Sequence, residues 1–300
     1  MSKITTMQEI DVRKASQRQS VFKILGKIAI YTFLIIMALA TLFPFYWMII
    51  SSLKELGEYR AVVPTLFPQV VDAANYVEVF DATESFNLVR LFLNTVLVGV
   101  VSTLLSLVIT ILSAFAFARL DFKGKDALFA ALLATMMIPG ELFTITNYVT
   151  VSKFGWLNSY TVLIIPFLVS VFYIYLLKQN FMQIPNELYL AAKVDGTGDF
   201  KYLCKVMIPL ALPSIISITI LKMMGSWNSY MWPKLVNSNP DYHLITNGLR
   251  GATFLDDAAN LPDIPVQMAA VALVSLPLFL VFIFLRKYIM KGVSRSGIKG

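Results

Sequence analysis

The chain is 300 residues long, 57% apolar and only 14% charged, with a formal net charge of +7. That balance lies far from the soluble average and marks an integral membrane protein. A single histidine, His243, and a single cysteine, Cys204, exclude an intrachain disulfide framework or zinc site, and the lack of a basic stripe interleaved with aromatics excludes a nucleic-acid partner.

Residues 1–27 form a basic segment carrying Lys3, Arg13, Lys14, Arg18, Lys23 and Lys27. Glu9 and Asp11 interrupt it, and the apolar run that follows is of spanning length, so the segment reads as attached to a first span and not as a cleaved signal peptide. A bilayer core takes about 20 apolar residues as a helix. Runs of that kind fall at about 28–51, 91–118, 127–150, 160–177, 208–232 and 266–285. The predicted fold is therefore all-α with six transmembrane helices over residues 28–285, followed by a basic tail at 286–300. Lysine and arginine concentrate in the N-terminal segment, near Arg119 to Lys125, between Lys178 and Lys205, and in the tail, alternating with acid-richer segments. Positive charge stays on the cytoplasmic side, which places both termini there and accounts for the net charge as a topology signal. The opposite segments at 52–90 and 233–265 are long, contain Pro64 and Pro68 or mixed Gly, Asn and Asp, and read as structured loops.

Between the fourth and fifth spans, at about 184–208, the pattern changes to two short helices about a glycine. Pro185 suits a helix start and Glu187 complements the dipole of its first turn. The helix through Ala191 and Ala192 runs to about Asp195, since Gly196 is a natural left-handed stop. Thr197 or Asp199 is the expected cap of the second helix. There Phe200, Leu203, Cys204 and Met207 form one apolar face, with Lys201, Tyr202 and Lys205 elsewhere. Pro209 disfavours helix at Ile208 and predicts a kink or restart at the entry to the fifth span. From periodicity alone the loop is either a docking element for a partner or a surface-lying connector.

Catalytic motifs are missing. No GxxxxGK[ST] loop exists, because the "GTG" at 196–198 is followed by Asp199 and Phe200. Serine, histidine and acid form no nucleophile arrangement, so the chain is not expected to be an enzyme, and its energy comes from an ion gradient or a partner.

Two ionisable residues fall inside the spans, Glu141 and Lys222, each about 14 residues in, roughly 21 Å at helical rise. Intramembrane charge faces a cavity or a partner. Three readings stand: a structural pair at similar depth, direct contact with a transported molecule, or separate snorkelling to the interface. A gradient-driven secondary transporter would use the two as its coupling pair. Trp227, Asn228 and Tyr230, with Trp232, offer either a stacking surface with an amide or an interfacial aromatic belt.

The stretch "IPNELYLAAKVDGTGDFKYLCKVMIPLALPSI" resembles the EAA loop of ABC importer permeases, matching at Ala191, Ala192, Asp195, Gly196, Pro209 and Pro213. "AFAFARLDFKGKD", "MMIPGELF", "GSWNSYMWP" and the final "LPLFLVFIFLRKYIMKGVSRSGIKG" are similar to the carbohydrate-uptake branch, in particular its second, six-span maltose-type permease. The resemblance implies the type I importer architecture and a coupling loop that engages an ATPase through Glu187, Ala191, Ala192, Asp195, Gly196, Phe200 and Pro209. By their place in the spans, Glu141, Lys222, Trp227, Asn228 and Tyr230 are the candidates for a translocation path, while the resemblance implies that much of the sugar site lies on the other permease. The resemblance further implies a second permease, a cytoplasmic ABC ATPase dimer that holds ATP and Mg, an extracytoplasmic solute-binding protein, a sugar substrate and the lipid bilayer as partners. No cofactor is expected on this chain itself. By the same resemblance the basic tail reaches the ATPase interface, whereas its charge alone makes it a positive-inside anchor. Two positions depart from the family pattern: Leu190 stands where the loop glutamate is usual, and Ser229 where an acid commonly follows Trp-Asn.

Overall fold

The structure is a computed structural model describing residues 2–81, 86–252, 254–255 and 261–294, with side chains described between Lys23 and Phe284 and at Arg286. Among these residues it is helical, apart from turns and one isolated antiparallel bridge between Leu255 and Pro262. The chain divides into two compact units, residues 1–75 with 263–272 and residues 76–262 with 273–300.

In the first unit, α1 (Ser2–Ser52) is one continuous helix, so the basic segment and the apolar run that follows residue 27 share a single element. No strong breaker lies there, since a lone Gly26 costs only about 1 kcal/mol in a helix. Its part from Lys23 to Ser52 is long and apolar enough to span a membrane, and its large apolar side chains are exposed, as lipid contact requires. Beyond α1 the chain ties itself into a knot around α2 (Leu56–Tyr59). Lys54 is buried, with its ammonium 2.5 Å from the Thr65 carbonyl and 4.9 Å above the Trp47 ring. Glu58 accepts hydrogen bonds from the Thr65 hydroxyl and, at 2.9 Å, from the Gln69 amide. Asn75, in α3 (Ala74–Glu78), donates to the carbonyls of Ser52 and Lys54 at 3.1 and 2.9 Å. This is the structured loop expected after the first span, as far as residue 81; residues 82–85 lie outside the described set.

In the second unit α4 (Leu88–Arg119) is capped by Asn87, whose side chain accepts from the Arg90 amide at 3.0 Å. The third apolar run is not straight. It consists of α5 (Lys125–Thr135), a 3₁₀ turn at Gly140–Phe143 and α6 (Thr144–Lys153), bent by 83°. Pro139 and Gly140 cause the break, since proline supplies no amide and glycine no helix preference. The fourth run is likewise two pieces, α7 (Tyr160–Ile164) with a 3₁₀ turn at Ile165–Phe167, then α8 (Val171–Met182), bent by 45°. Pro166 and the Ser170 cap, which accepts from the Tyr173 amide at 3.5 Å, separate them. Next come α9 (Asn186–Val194) and α10 (Asp199–Tyr202), and then a π turn at Leu203–Met207 that runs directly into α11 (Ile208–Trp227). The kink or restart expected at Pro209 takes the form of this π turn, after which the α-helix resumes at Ile208 with Pro209 in its first turn. Widening the helix just ahead of Pro209 lets the chain carry the missing amide without breaking.

The fifth span ends at Trp227, not Trp232. The Asn228 side chain turns back onto the Met224 carbonyl at 3.0 Å, and a new helix, α12 (Met231–Val236), begins after Tyr230. A 3₁₀ turn at Pro240–Tyr242 and α13 (Ile245–Gly251) follow. Asn94 anchors this segment to α4: its amide donates to the carbonyls of Asp241 and His243 at 2.7 and 3.0 Å and accepts from the Tyr160 hydroxyl at 2.8 Å. The Thr95 hydroxyl accepts from the Ile245 amide at 2.8 Å, and the Trp232 indole donates to the Val162 carbonyl at 3.0 Å. The second expected structured loop is therefore present in its described part. The last helix, α14 (Ile264–Ser294), runs past the expected end of the span at residue 285, so the basic tail begins as helix; residues 295–300 lie outside the described set. Four helices are long and apolar enough to cross a membrane among the described residues, or six if each bent pair is one span.

Candidate functional site

The glycine loop takes the conformation its sequence specifies at the centre. Gly196 has φ +71°, the left-handed region, and the Thr197 amide returns to the Ala192 carbonyl at 2.8 Å. Pro185 stands at the N-cap position of α9, with Glu187 exposed in its first turn and Asp195 exposed at its C-cap. The second helix differs from expectation. Neither Thr197 nor Asp199 caps it; Gly198 occupies the cap position without a side-chain bond. Asp199 is otherwise engaged, accepting from the Tyr189 hydroxyl at 2.7 Å and pairing with Lys193 at 2.6 Å. Lys193 also lies 5.3 Å over the Tyr189 ring. Its hydrogen bond to Asp199, then that to Tyr189, holds the Lys193 ammonium above its ordinary pKa. Both charged groups are solvent-accessible, so the pair contributes little to stability, and it links the two helices across the glycine.

The buried face of the second helix also departs from the expected one. Tyr202, Leu203 and Met207 are buried, whereas Phe200 is 70% exposed and Cys204 is exposed. The Tyr202 ring lies 5.1 Å from that of Tyr189, and the π turn rotates the residues after Leu203 away from a regular helical register. Tyr202, Leu203 and Met207 join Phe115, Leu177 and Ile218 in one core cluster. Ala192 packs against it, while Ala191 and Pro209 stay exposed.

The two halves of the loop consequently differ in kind. α10 and the π turn are rooted in the bundle, and α9 contains no buried residue. Leu188, Leu190, Val194 and Phe200 are each exposed apolar side chains of the loop. At the base, the Arg119 guanidinium donates to the carbonyls of Phe181 and Ile184 at 2.9 and 2.5 Å. It thereby closes the C-terminus of α8 with a cation, where the helix dipole favours one. Sequence reasoning took Arg119 as a topology charge and did not single out Tyr189 or Tyr202. The i, i+4 spacing of Tyr189 and Lys193, with Asp199 just across the glycine, was the available signal.

The intramembrane residues are not brought together as a pair. Glu141 is exposed in the 3₁₀ turn at the 83° bend, and no ion pair joins it to Lys222 among the described residues. Instead the Lys222 ammonium donates to the Phe167 carbonyl, at the end of the first half of the bent fourth run. Lys222 lines a half-open cavity of about 340 Å³ between α4, the bend at 167–170, α11 and α12. The hydroxyls of Ser102, Ser170, Tyr173, Ser226 and Ser229 line it too. Trp227, Asn228 and Tyr230 do not face it as a group. Trp227 is buried in an edge-to-face contact with Phe92 at 5.7 Å. Tyr230 accepts from Lys234 at 2.9 Å and stacks under Arg250 at 4.4 Å. Trp232, rather, forms part of the cavity wall.

Residues 99–295 match the family model described as "Binding-protein-dependent transport system inner membrane component". The chain is 28% identical over 276 residues to the arabinooligosaccharides transport system permease protein AraQ of Bacillus subtilis (strain 168), covering 91% of this chain and 96% of that one. It is 30% identical over 265 residues to the protein of the same name from Halalkalibacterium halodurans, covering 88% and 93%. A chain from the crystal structure of a bacterial ABC transporter involved in the import of the acidic polysaccharide alginate superposes with a TM-score of 0.80 at 22% identity, covering 88% of this chain and 96% of that chain. That likeness establishes the fold of an ABC importer permease.

Proposed function

The chain belongs to the family of binding-protein-dependent transport system inner membrane components, and we propose that within it this protein is the second permease subunit of an ATP-driven carbohydrate importer. It is a multi-pass protein of the bacterial cell membrane and a transport component, not itself an enzyme. The arabinooligosaccharide permeases among its relatives support carbohydrate as the cargo class. In this reading each bent helix pair counts as one span, giving six, and both termini are cytoplasmic because the lysines and arginines gather on that side. A homologous permease supplies the other half of the path. A solute-binding protein delivers the sugar at the outer face, and a cytoplasmic ATPase dimer, which holds ATP and Mg, grips the loop.

One observation carries the proposal. The loop is a helix pair hinged at left-handed Gly196, with the second helix rooted in the core and the first resting on it through Tyr189 and Ala192 while its other apolar side chains are exposed. A force applied to α9 passes through the Tyr189–Lys193–Asp199 clasp and the π turn into α11, which begins without a break. Rigid coupling of this kind turns closure of a partner into reorientation of a span. With Leu190 in place of the usual glutamate, the contact relies on the exposed apolar side chains of Leu188, Leu190, Val194 and Phe200. The basic tail that follows α14 is assigned to the same side of the membrane by its charge. A gradient-driven alternative loses its motive, since no Glu141–Lys222 pair forms.

Co-purification from the native membrane in mild detergent, followed by an ATPase assay, tests the reading. Recovery of a second permease and an ATPase with the wild type, and loss of the ATPase with Gly196→Pro, is the expected result. A solitary chain that moves sugar without ATP and is indifferent to Gly196 would refute it.

A further inference from the structure

Among the described residues, Lys222 has no anionic side chain as a partner. Its ammonium spends one of three protons on the Phe167 carbonyl. The rest of the cavity wall offers serine and tyrosine hydroxyls, apolar side chains and the Trp232 ring, with no aspartate or glutamate among the described residues. A charge inside an apolar span without a counter-charge is unfavourable. An anion bound beside the ammonium would offset that cost.

We infer that this cavity is a subsite for the carboxylate-bearing unit of an acidic sugar, with Lys222 as its counter-ion. The inference rests on the reading of the chain as a carbohydrate-import permease and names the class of that cargo. At about 340 Å³ the chamber is at the small end of small-molecule sites, about 300–1,000 Å³, which suits one sugar residue and not a whole chain. The hydroxyls of Ser102, Ser226 and Ser229 are placed to exchange hydrogen bonds with ring hydroxyls. The Phe167 carbonyl takes only one of the ammonium's three protons, which leaves two for an arriving carboxylate.

The test is equilibrium binding of radiolabelled digalacturonate and of its dimethyl ester, which has the same skeleton without charge. The protein is the assembled complex of both permeases and the ATPase, in phosphatidylcholine nanodiscs, without the solute-binding protein. No anionic lipid is then present to neutralise the lysine, and no binding protein contributes its own preference. The acid should bind about 10-fold more tightly than the ester. Lys222→Met should erase the difference, and Lys222→Arg should keep it within about 3-fold, the guanidinium retaining the charge. Should Lys222→Met fail to assemble, the comparison of acid and ester on the wild type decides by itself. Equal binding of the two probes, binding of neither, or a preference that survives Lys222→Met would overturn the subsite. Uptake assays with the binding protein restored keep the two readings apart. ATP-driven uptake of neutral arabinotriose without acid binding overturns the subsite alone. No ATP-driven uptake of any neutral or acidic oligosaccharide overturns the carbohydrate reading and the subsite with it.

Discussion

Replacing Gly196 by alanine tests the hinge without filling any space. A Cβ at this position meets nothing within 4 Å, and the glycine stands at φ +71°. The whole effect is therefore the strain of an L side chain in the left-handed region, about 1–2 kcal/mol. That lowers the population of the native loop by about 5- to 30-fold relative to competing geometries. Asparagine visits the left-handed region more readily than alanine, so Gly196→Asn should recover most of the loss. Gly196→Pro is locked near φ −65° and cannot adopt the turn at all. The assay is sugar-stimulated ATP hydrolysis by the assembled complex, with recovery of the ATPase on purification as control. The expected order of stimulated activity is wild type, Asn, Ala, Pro, with alanine reduced by up to the factor above. Wild-type activity in Gly196→Ala, or asparagine as poor as proline, would show that the left-handed geometry is not what transmits the stroke.

Gly248→Ala should lower the thermal midpoint of the purified complex by crowding: its Cβ would lie 2.2 Å from Cδ1 of the buried Leu91, and overpacking of this kind costs about 1–3 kcal/mol. Combining it with Leu91→Ala should destabilise less than the sum of the single changes. Asn94→Leu leaves the carbonyls of Asp241 and His243 and the Tyr160 hydroxyl without their partner, at about 1–3 kcal/mol per group left buried and unpaired; faster amide exchange across 240–248 is the readout. Unchanged protection there would refute Asn94 as the anchor. Glu58 is held below its ordinary pKa, first by the Thr65 hydroxyl. A depressed carboxylate contributes order above its unfolded-state pKa and loses it as pH falls through the lower folded-state value. Pepsin should therefore cut residues 55–75 of the wild type increasingly as pH drops below the ordinary glutamate value of about 4.3, while Glu58→Gln should be cut readily and with little dependence on pH.

The sequence by itself determined the class of protein, the number and approximate place of its apolar runs, and the glycine hinge. These follow from local properties: apolar length fixes what lipid will accept, and Gly196, Pro185 and Pro139 act on their own dihedral angles. The residues that carry the family resemblance are of the same local kind. The tertiary structure decided what depends on which distant groups meet. Tyr202 proved buried and Phe200 exposed, because a π turn ahead of Pro209 shifts the register that a regular helix would keep. Asp199 left its cap position because Tyr189 and Lys193 reached it first across the turn. Glu141 and Lys222 sit at matching depth in sequence, yet bends at Pro139 and Pro166 take the first to an exposed corner and set the second against the Phe167 carbonyl. Depth along a straight helix is a sequence property; where a broken helix points, and therefore which charge faces the cavity, depends on the packing of all its neighbours.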